Sequence, residues 1–272
     1  MPLSNRFRTA FVSGAGSGLG EAFVQMLLDE GVQVWGTSRT PQRLPTRSGF
    51  FPLPLELADA GSIHAAWTEA EKASRGLDLV INNAGAARFG SFASSPAETW
   101  NEQLTVLLDG PVRLTRHAYG AMQARGRGTI VNVTSLAVEF PLPYMAAYNS
   151  AKAALAMFTE SLAVEAAIAG VTLIDFRPGD YDTRFNAAVC ARGFPPDQDG
   201  RGTRAWARLE ELRAAAPGPA RAARDLRRAL VRGRPGVVRS GGFFQAVVAP
   251  LGNRLLPARI VRLLHSLYFR LG

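Results

Sequence analysis

Short runs with strand character alternate with longer stretches of helical spacing between residues 9 and 239, and that order restricts the chain to a parallel sheet with helices on both faces. Residues 9–13 read as a first strand and 18–30 as a helix, with Phe23, Met26 and Leu27 at helical spacing. Further strands are expected at 32–37, 50–55, 77–82, 129–134, 171–176 and 236–239, and Pro52 and Pro54 make the third strand short or place it at an edge. Helices are expected at 62–74, through most of 96–123, from Ala147 to about Ala169, at 204–215 and at 219–232, with a loop at 179–202. In an open parallel sheet, ligands bind beyond the carboxyl ends of the strands, so Gly14, Asn83, Ser135 and Pro178 should converge on one crevice. The expected class is α/β, a doubly wound parallel sheet in one domain over 1–272. Its substrate loop and helices lie at about 179–233, and a helical extension lies at about 243–272.

No linker or internal repeat divides the 272 residues, and 47% apolar content is ample for one buried core. The first residues lack the long apolar region of a signal peptide, and no uncharged apolar run approaches the roughly 18 residues of a membrane span, so a soluble cytoplasmic protein is expected. Cys190 is the only cysteine, and His64, His117 and His265 have no ligand spacing, so neither a disulfide nor a metal site is expected. The net charge of +9 is unevenly placed. Fifteen Arg stand against Glu210, Glu211 and Asp225 from residue 201 onward, about +12, while residues 1–200 carry about −3. Solvated helix faces account for such a bias, as would a phosphorylated or acyl-carrier substrate or an acidic membrane surface. No zinc-finger spacing, basic zipper or RNA-stacking motif is present, so no nucleic-acid partner is expected.

Between the first strand and first helix stands Gly14-Ala15-Gly16-Ser17-Gly18-Leu19-Gly20. Glycines let a backbone approach a pyrophosphate closely, and the free N–H groups of a helix N-terminus favour negative charge, so a nucleotide is expected here. About twenty residues past Gly18, where a carboxylate would accept the hydrogen bonds of an NAD ribose, stand Thr37, Ser38 and Arg39. A small hydroxyl leaves room for a 2′-phosphate and a guanidinium can bind it, which favours NADP(H) over NAD(H). Further along, Lys152 follows Tyr148 by four residues on one helix face, and Ser135 precedes Tyr148 by thirteen. A phenol titrates near about 10, and a cation at about 4 Å could lower that by about 3 pK units, enough for general acid-base work.

With these residues the chain resembles the short-chain dehydrogenase/reductase family, from about residue 8 to about residue 240. The glycine turn is similar to the family's Ser/Thr-Gly-x-x-x-Gly-x-Gly form, and Asn82-Asn83-Ala84-Gly85 resembles its Asn-Asn-Ala-Gly motif. The resemblance implies a Rossmann-like fold and a catalytic set of Ser135, Tyr148 and Lys152. It also implies cofactor contacts at Gly14, Ser17, Gly18, Leu19, Ser38, Arg39, Glu56, Leu57, Asn83, Ala84, Gly85, Tyr148, Lys152, Pro178, Gly179 and Thr183. The implied activity is NADP(H)-dependent hydride transfer to or from a carbonyl or alcohol substrate, in a homo-oligomer, dimer or tetramer. Phe140, Tyr144, Phe185, Phe194, Trp206, Phe243 and Phe244 lie in segments expected to line or cover a pocket for a bulky apolar substrate. One departure stands out, because Leu107 holds the place of the Asn that usually joins the proton relay, and leucine cannot bind a water. A non-catalytic NADP(H)-binding regulatory protein of the same fold is therefore the alternative. In the tail, Ile260, Leu263, Leu264, Leu267 and Leu271 share one helical face opposite Arg259, Arg262, Ser266 and Arg270. Such a helix suits a pocket lid, a subunit contact or, less expected, a membrane-surface anchor.

Overall fold

The computed structural model describes residues 1–183, Val189 and 200–272, apart from the Arg254 side chain. Phe185, Cys190 and Phe194 lie outside the described residues. Seven strands form one parallel sheet: β1 (Thr9–Val12), β2 (Gln33–Ser38), β3 (Phe50–Pro54), β4 (Leu79–Asn82), β5 (Gly128–Val133), β6 (Val171–Pro178) and β7 (Gly236–Ser240). Their order is β3-β2-β1-β4-β5-β6-β7, and every neighbouring pair is parallel. The chain starts in the middle of the sheet, winds outward to β3, returns at β4 and winds outward again. Strand order therefore reverses between β1 and β4, which opens the crevice at their carboxyl ends.

The strands read as unbroken apolar runs because both faces of the sheet are covered. Successive side chains point to opposite faces, and the pairs divide accordingly. Val12, Val34, Ile81, Val131 and Ile174 enter a core with Phe23, Leu27 and Phe176, whereas Phe11, Trp35, Val80, Ile130 and Leu173 enter a second core with Trp67, Leu114 and Met122. Helices α1 (Gly18–Asp29) and α7 (Ala220–Arg232) supply Phe23, Leu27, Leu226 and Leu230 to the first core. Helices α2 (Ala60–Ser74) and α4 (Gly110–Arg125) supply Trp67, Leu114 and Met122 to the second. β3 is an edge strand, consistent with two prolines that lack an N–H.

Two helical expectations needed correction. The stretch 96–123 is interrupted: α3 (Ala97–Leu104) runs into a π-type segment (Thr105–Asp109) before α4 begins. Pro111, in the first turn of α4, has no N–H for the carbonyl four residues earlier, and Gly110 N instead donates to the Thr105 carbonyl. The tail is likewise broken, into a π-type segment (Phe244–Val248), α8 (Ala249–Leu255) and α9 (Ala258–Tyr268), with Pro257 between the last two. Helix α6 (Arg201–Ala214) clamps the far end of α9. Arg208 Nε donates to the Tyr268 carbonyl (3.2 Å), and Arg270 binds Glu211 through both terminal nitrogens (2.8 Å each).

Much of the basic C-terminal charge is thus used internally. Arg213 pairs with Asp182, Arg227 with Glu30, Arg228 with Asp225 and Arg239 with Glu139. Each of these arginines is a third or more exposed, so water screens the pairs and they stabilise the fold little.

Candidate active site

Ser135 follows β5 directly, and its Oγ accepts from the Ala137 amide (3.0 Å), which caps a short turn and fixes the hydroxyl. Helix α5 (Ala146–Ile168) places Tyr148 in its first turn and Lys152 one turn on, and both side chains are buried. The Ser135 hydroxyl acts on the Tyr148 phenol and favours its ionised form. Lys152 Nζ donates to the Val133 carbonyl at 2.7 Å.

The electrostatics reverse one expectation. Burial is the largest influence on the Tyr148 phenol and pushes its pKa above the ordinary value, Ser135 pulls it down, and the Asp180 carboxyl pushes it up. Lys152 is turned to the Val133 carbonyl and is not among the groups that shift the phenol. Burial lowers the pKa of Lys152 itself to about 8, opposed by Asp175. Asp175 belongs to a buried network behind the lysine: it accepts from Thr134 and from Arg177 Nε (2.7 Å), and Arg177 also reaches Glu139 (2.8 Å) and Glu160 (2.9 Å). A second buried network ties the central strands to two helices. Asn82 donates to Asn132 (2.7 Å) and Thr115 (2.9 Å), and Asn132 donates to Thr159 (2.8 Å).

At the other end of the crevice the glycine turn is packed to its limit. A Cβ on Gly20 would meet the Gly14 carbonyl oxygen at 2.0 Å, and one on Gly14, whose φ is +69°, would meet Ala84 Cα at 2.8 Å. Asn83 locks this junction, donating from its amide to Ser13 Oγ (2.9 Å) and from Nδ2 to the Ser13 and Gly14 carbonyls (3.0 and 3.2 Å). Ser17 sits at the N-cap of α1 and makes no capping hydrogen bond with its side chain. The turn therefore presents the helix N-terminus to whatever occupies the crevice.

One cavity of about 970 Å³ joins the two ends. Ser135, Tyr148 and Lys152 line it, together with Gly14, Ser17, Gly18, Leu19, Ser38, Arg39, Glu56 and Leu57. So do Asn83, Ala84, Gly85, Pro178, Gly179 and Thr183. Of the aromatic residues expected here, Phe140, Trp206 and Phe244 line it, but Tyr144 stacks on Phe89 (5.4 Å between ring centres) and Phe243 points to solvent. Leu107 is buried in the apolar cluster that also holds Tyr148, and a Cβ on Gly85 would meet its Cδ2 at 2.9 Å.

Three contributors were given no role from the sequence, although Asp180 was expected near the nicotinamide. Arg43, in the turn Pro41–Arg43 after β2, lines the cavity near Arg39, and the only hint was a second basic residue close behind the strand. Asp180 is half-buried, which raises its pKa, and is bonded through Gln245 to the tail. His265 Nε2, on α9 in the cavity wall, is buried and has no hydrogen-bond partner among the described residues.

The pattern described as short chain dehydrogenase matches residues 8–192. The chain belongs to that family. A Mycobacterium bovis protein named probable oxidoreductase EphD is 35% identical over 188 residues, which cover 65% of this chain and only 32% of that relative's own length. Short-chain dehydrogenases of known structure share the fold. One from Burkholderia phymatum, in complex with NAD, has a TM-score of 0.77 at 22% identity and covers 91% of this chain and 92% of its own. One from Burkholderia cenocepacia, in complex with NADP, has a TM-score of 0.71 at 24% identity, covering 94% and 100%. A nicotinamide cofactor thus belongs to the family's chemistry, and these neighbours include both forms.

Proposed function

We propose that this chain is an NADP(H)-dependent oxidoreductase that interconverts a bulky apolar carbonyl compound and its alcohol, with Ser135, Tyr148 and Lys152 as catalytic residues. The observation that carries this reading is that Ser135, Tyr148 and Lys152 line the same cavity as the glycine turn. The residues present fit the cofactor: the turn at Gly14 and Gly20 has no room for a side chain, and Lys152 and Tyr148 line the same cavity. When bound, the cofactor supplies the hydride. Tyr148, protonated across the neutral range because burial raises its pKa, gives its proton to the carbonyl oxygen, while Ser135 holds that oxygen in place.

The preference for NADP(H) rests on Arg39 and Arg43 at the end of β2, two guanidiniums facing the cavity region where no carboxylate follows Ser38. Replacing both by Ala should raise KM for NADPH by at least about tenfold and leave KM for NADH within about twofold. Equal changes for both cofactors would remove the assignment. The apolar substrate is supported by Phe140, Leu142, Trp206, Phe244 and Leu264 along the wall.

Leu107 removes the usual relay amide, and the carboxyl that acts on the Tyr148 phenol is Asp180. It lines the same cavity as the phenol, and burial raises its pKa, which makes it the carboxyl placed to resupply the phenol. Asp180→Asn keeps a hydrogen bond to Gln245 but cannot exchange a proton. It should lower turnover by about tenfold or more and leave the KM for NADPH unchanged. Unchanged turnover would make Asp180 a structural tether only.

A further inference from the structure

We propose that residues 243–268 form a face that seats on an anionic lipid surface, so that a substrate dissolved in the bilayer enters the cavity through that face. The membrane contact stands on the surface alone, whereas the entry route rests on the apolar substrate proposed above.

The segment has two sides. Phe244, Val248, Leu256, Leu264 and Tyr268 line the cavity. Phe243, Val247, Leu251 and Leu255 recur every four residues on the outside, with Phe243 72% and Leu255 71% exposed, and Leu263 and Leu267 continue the apolar strip along α9. A strip of this extent is larger than scattered surface leucines and marks an interaction site. It is also only one helix thick, so an apolar molecule lying against it is one layer from the cavity.

Charge decides between a bilayer and a second copy of this chain. Residues 243–272 contain four Arg and no acid. Arg259 and Arg262 are exposed on α9, on the side of the apolar strip away from the cavity. A two-fold contact through this face would set arginine against arginine, with no carboxylate in the segment to compensate. Anionic headgroups complement the same pattern: leucines enter the acyl boundary and arginines stay at the headgroups. Among the described residues no helix is long and apolar enough to cross a membrane, so the segment would lie on the surface.

The test is co-sedimentation of the full chain with phosphatidylcholine vesicles, with and without phosphatidylglycerol, alongside sedimentation velocity without lipid. The wild type should bind the anionic vesicles at least about tenfold more tightly than the zwitterionic ones. Arg259→Gln with Arg262→Gln should erase most of that preference, and Leu263→Asp with Leu267→Asp should abolish binding while leaving the circular dichroism and Tm unchanged. Tyr148→Phe should bind as the wild type does, so this result is independent of the catalytic reading. No binding to either vesicle would overturn the proposal. So would a drop in molecular mass in the Leu263→Asp, Leu267→Asp variant, because the face would then be covered by a second copy.

Discussion

Tyr148→Phe should lower carbonyl reduction by at least about a hundredfold while NADPH affinity stays within about twofold. The phenol lines the cavity with Ser135, and its loss removes the proton donor but almost no volume. Phenylalanine fits the same pocket beside Ala151 and Leu107, so Tm should change little. Stopped-flow NADPH oxidation and fluorescence titration of NADPH check the two halves separately. Retained turnover would refute the role of Tyr148 in proton transfer.

Lys152→Met should cost a comparable factor, about a hundredfold in kcat/KM, or ~2.7 kcal/mol of transition-state stabilisation. Here, unlike in Tyr148→Phe, cofactor affinity should fall too. The ammonium is buried, held by the Val133 carbonyl, and lines the cavity between the phenol and the glycine turn. Burial has lowered its pKa to about 8, so it is charged at neutral pH and loses its proton as pH rises through about 8. Wild-type reduction should therefore fall above about pH 8, and this limb should be missing from the residual activity of Lys152→Met. A limb that persists in the variant would assign it to another group.

The sheet was legible because its strands are buried on both faces and bounded by turn residues. Expected strand limits fall within two residues of those observed, and the edge position of β3 follows from Pro52 and Pro54. The glycine turn was legible from its place between a strand and a helix, the Asn83 junction and the Ser135–Tyr148–Lys152 set were named through the family resemblance, and residues of all three line one cavity. Long-range contacts were not legible. The partner of Lys152 is a backbone carbonyl nineteen residues earlier, which no side-chain pattern encodes, so the phenol was expected to be lowered by the lysine when burial raises it. The bond from Gln245 to Asp180 spans 65 residues and joins the tail to the site only after β6 and β7 pair. Pro257 was visible, but amphipathic spacing continuing past it concealed the break between α8 and α9.

The most direct measurement of the central claim is a single turnover with NADPH deuterated at C4, over a panel of bulky apolar ketones and aldehydes, followed by mass spectrometry of the alcohol. Wild-type protein should deliver deuterium to the carbonyl carbon of at least one compound, and Tyr148→Phe should bind the same cofactor yet deliver almost none. Tight NADPH binding with no label transferred by the wild type to any compound would contradict the account and favour a nucleotide-binding protein without catalysis.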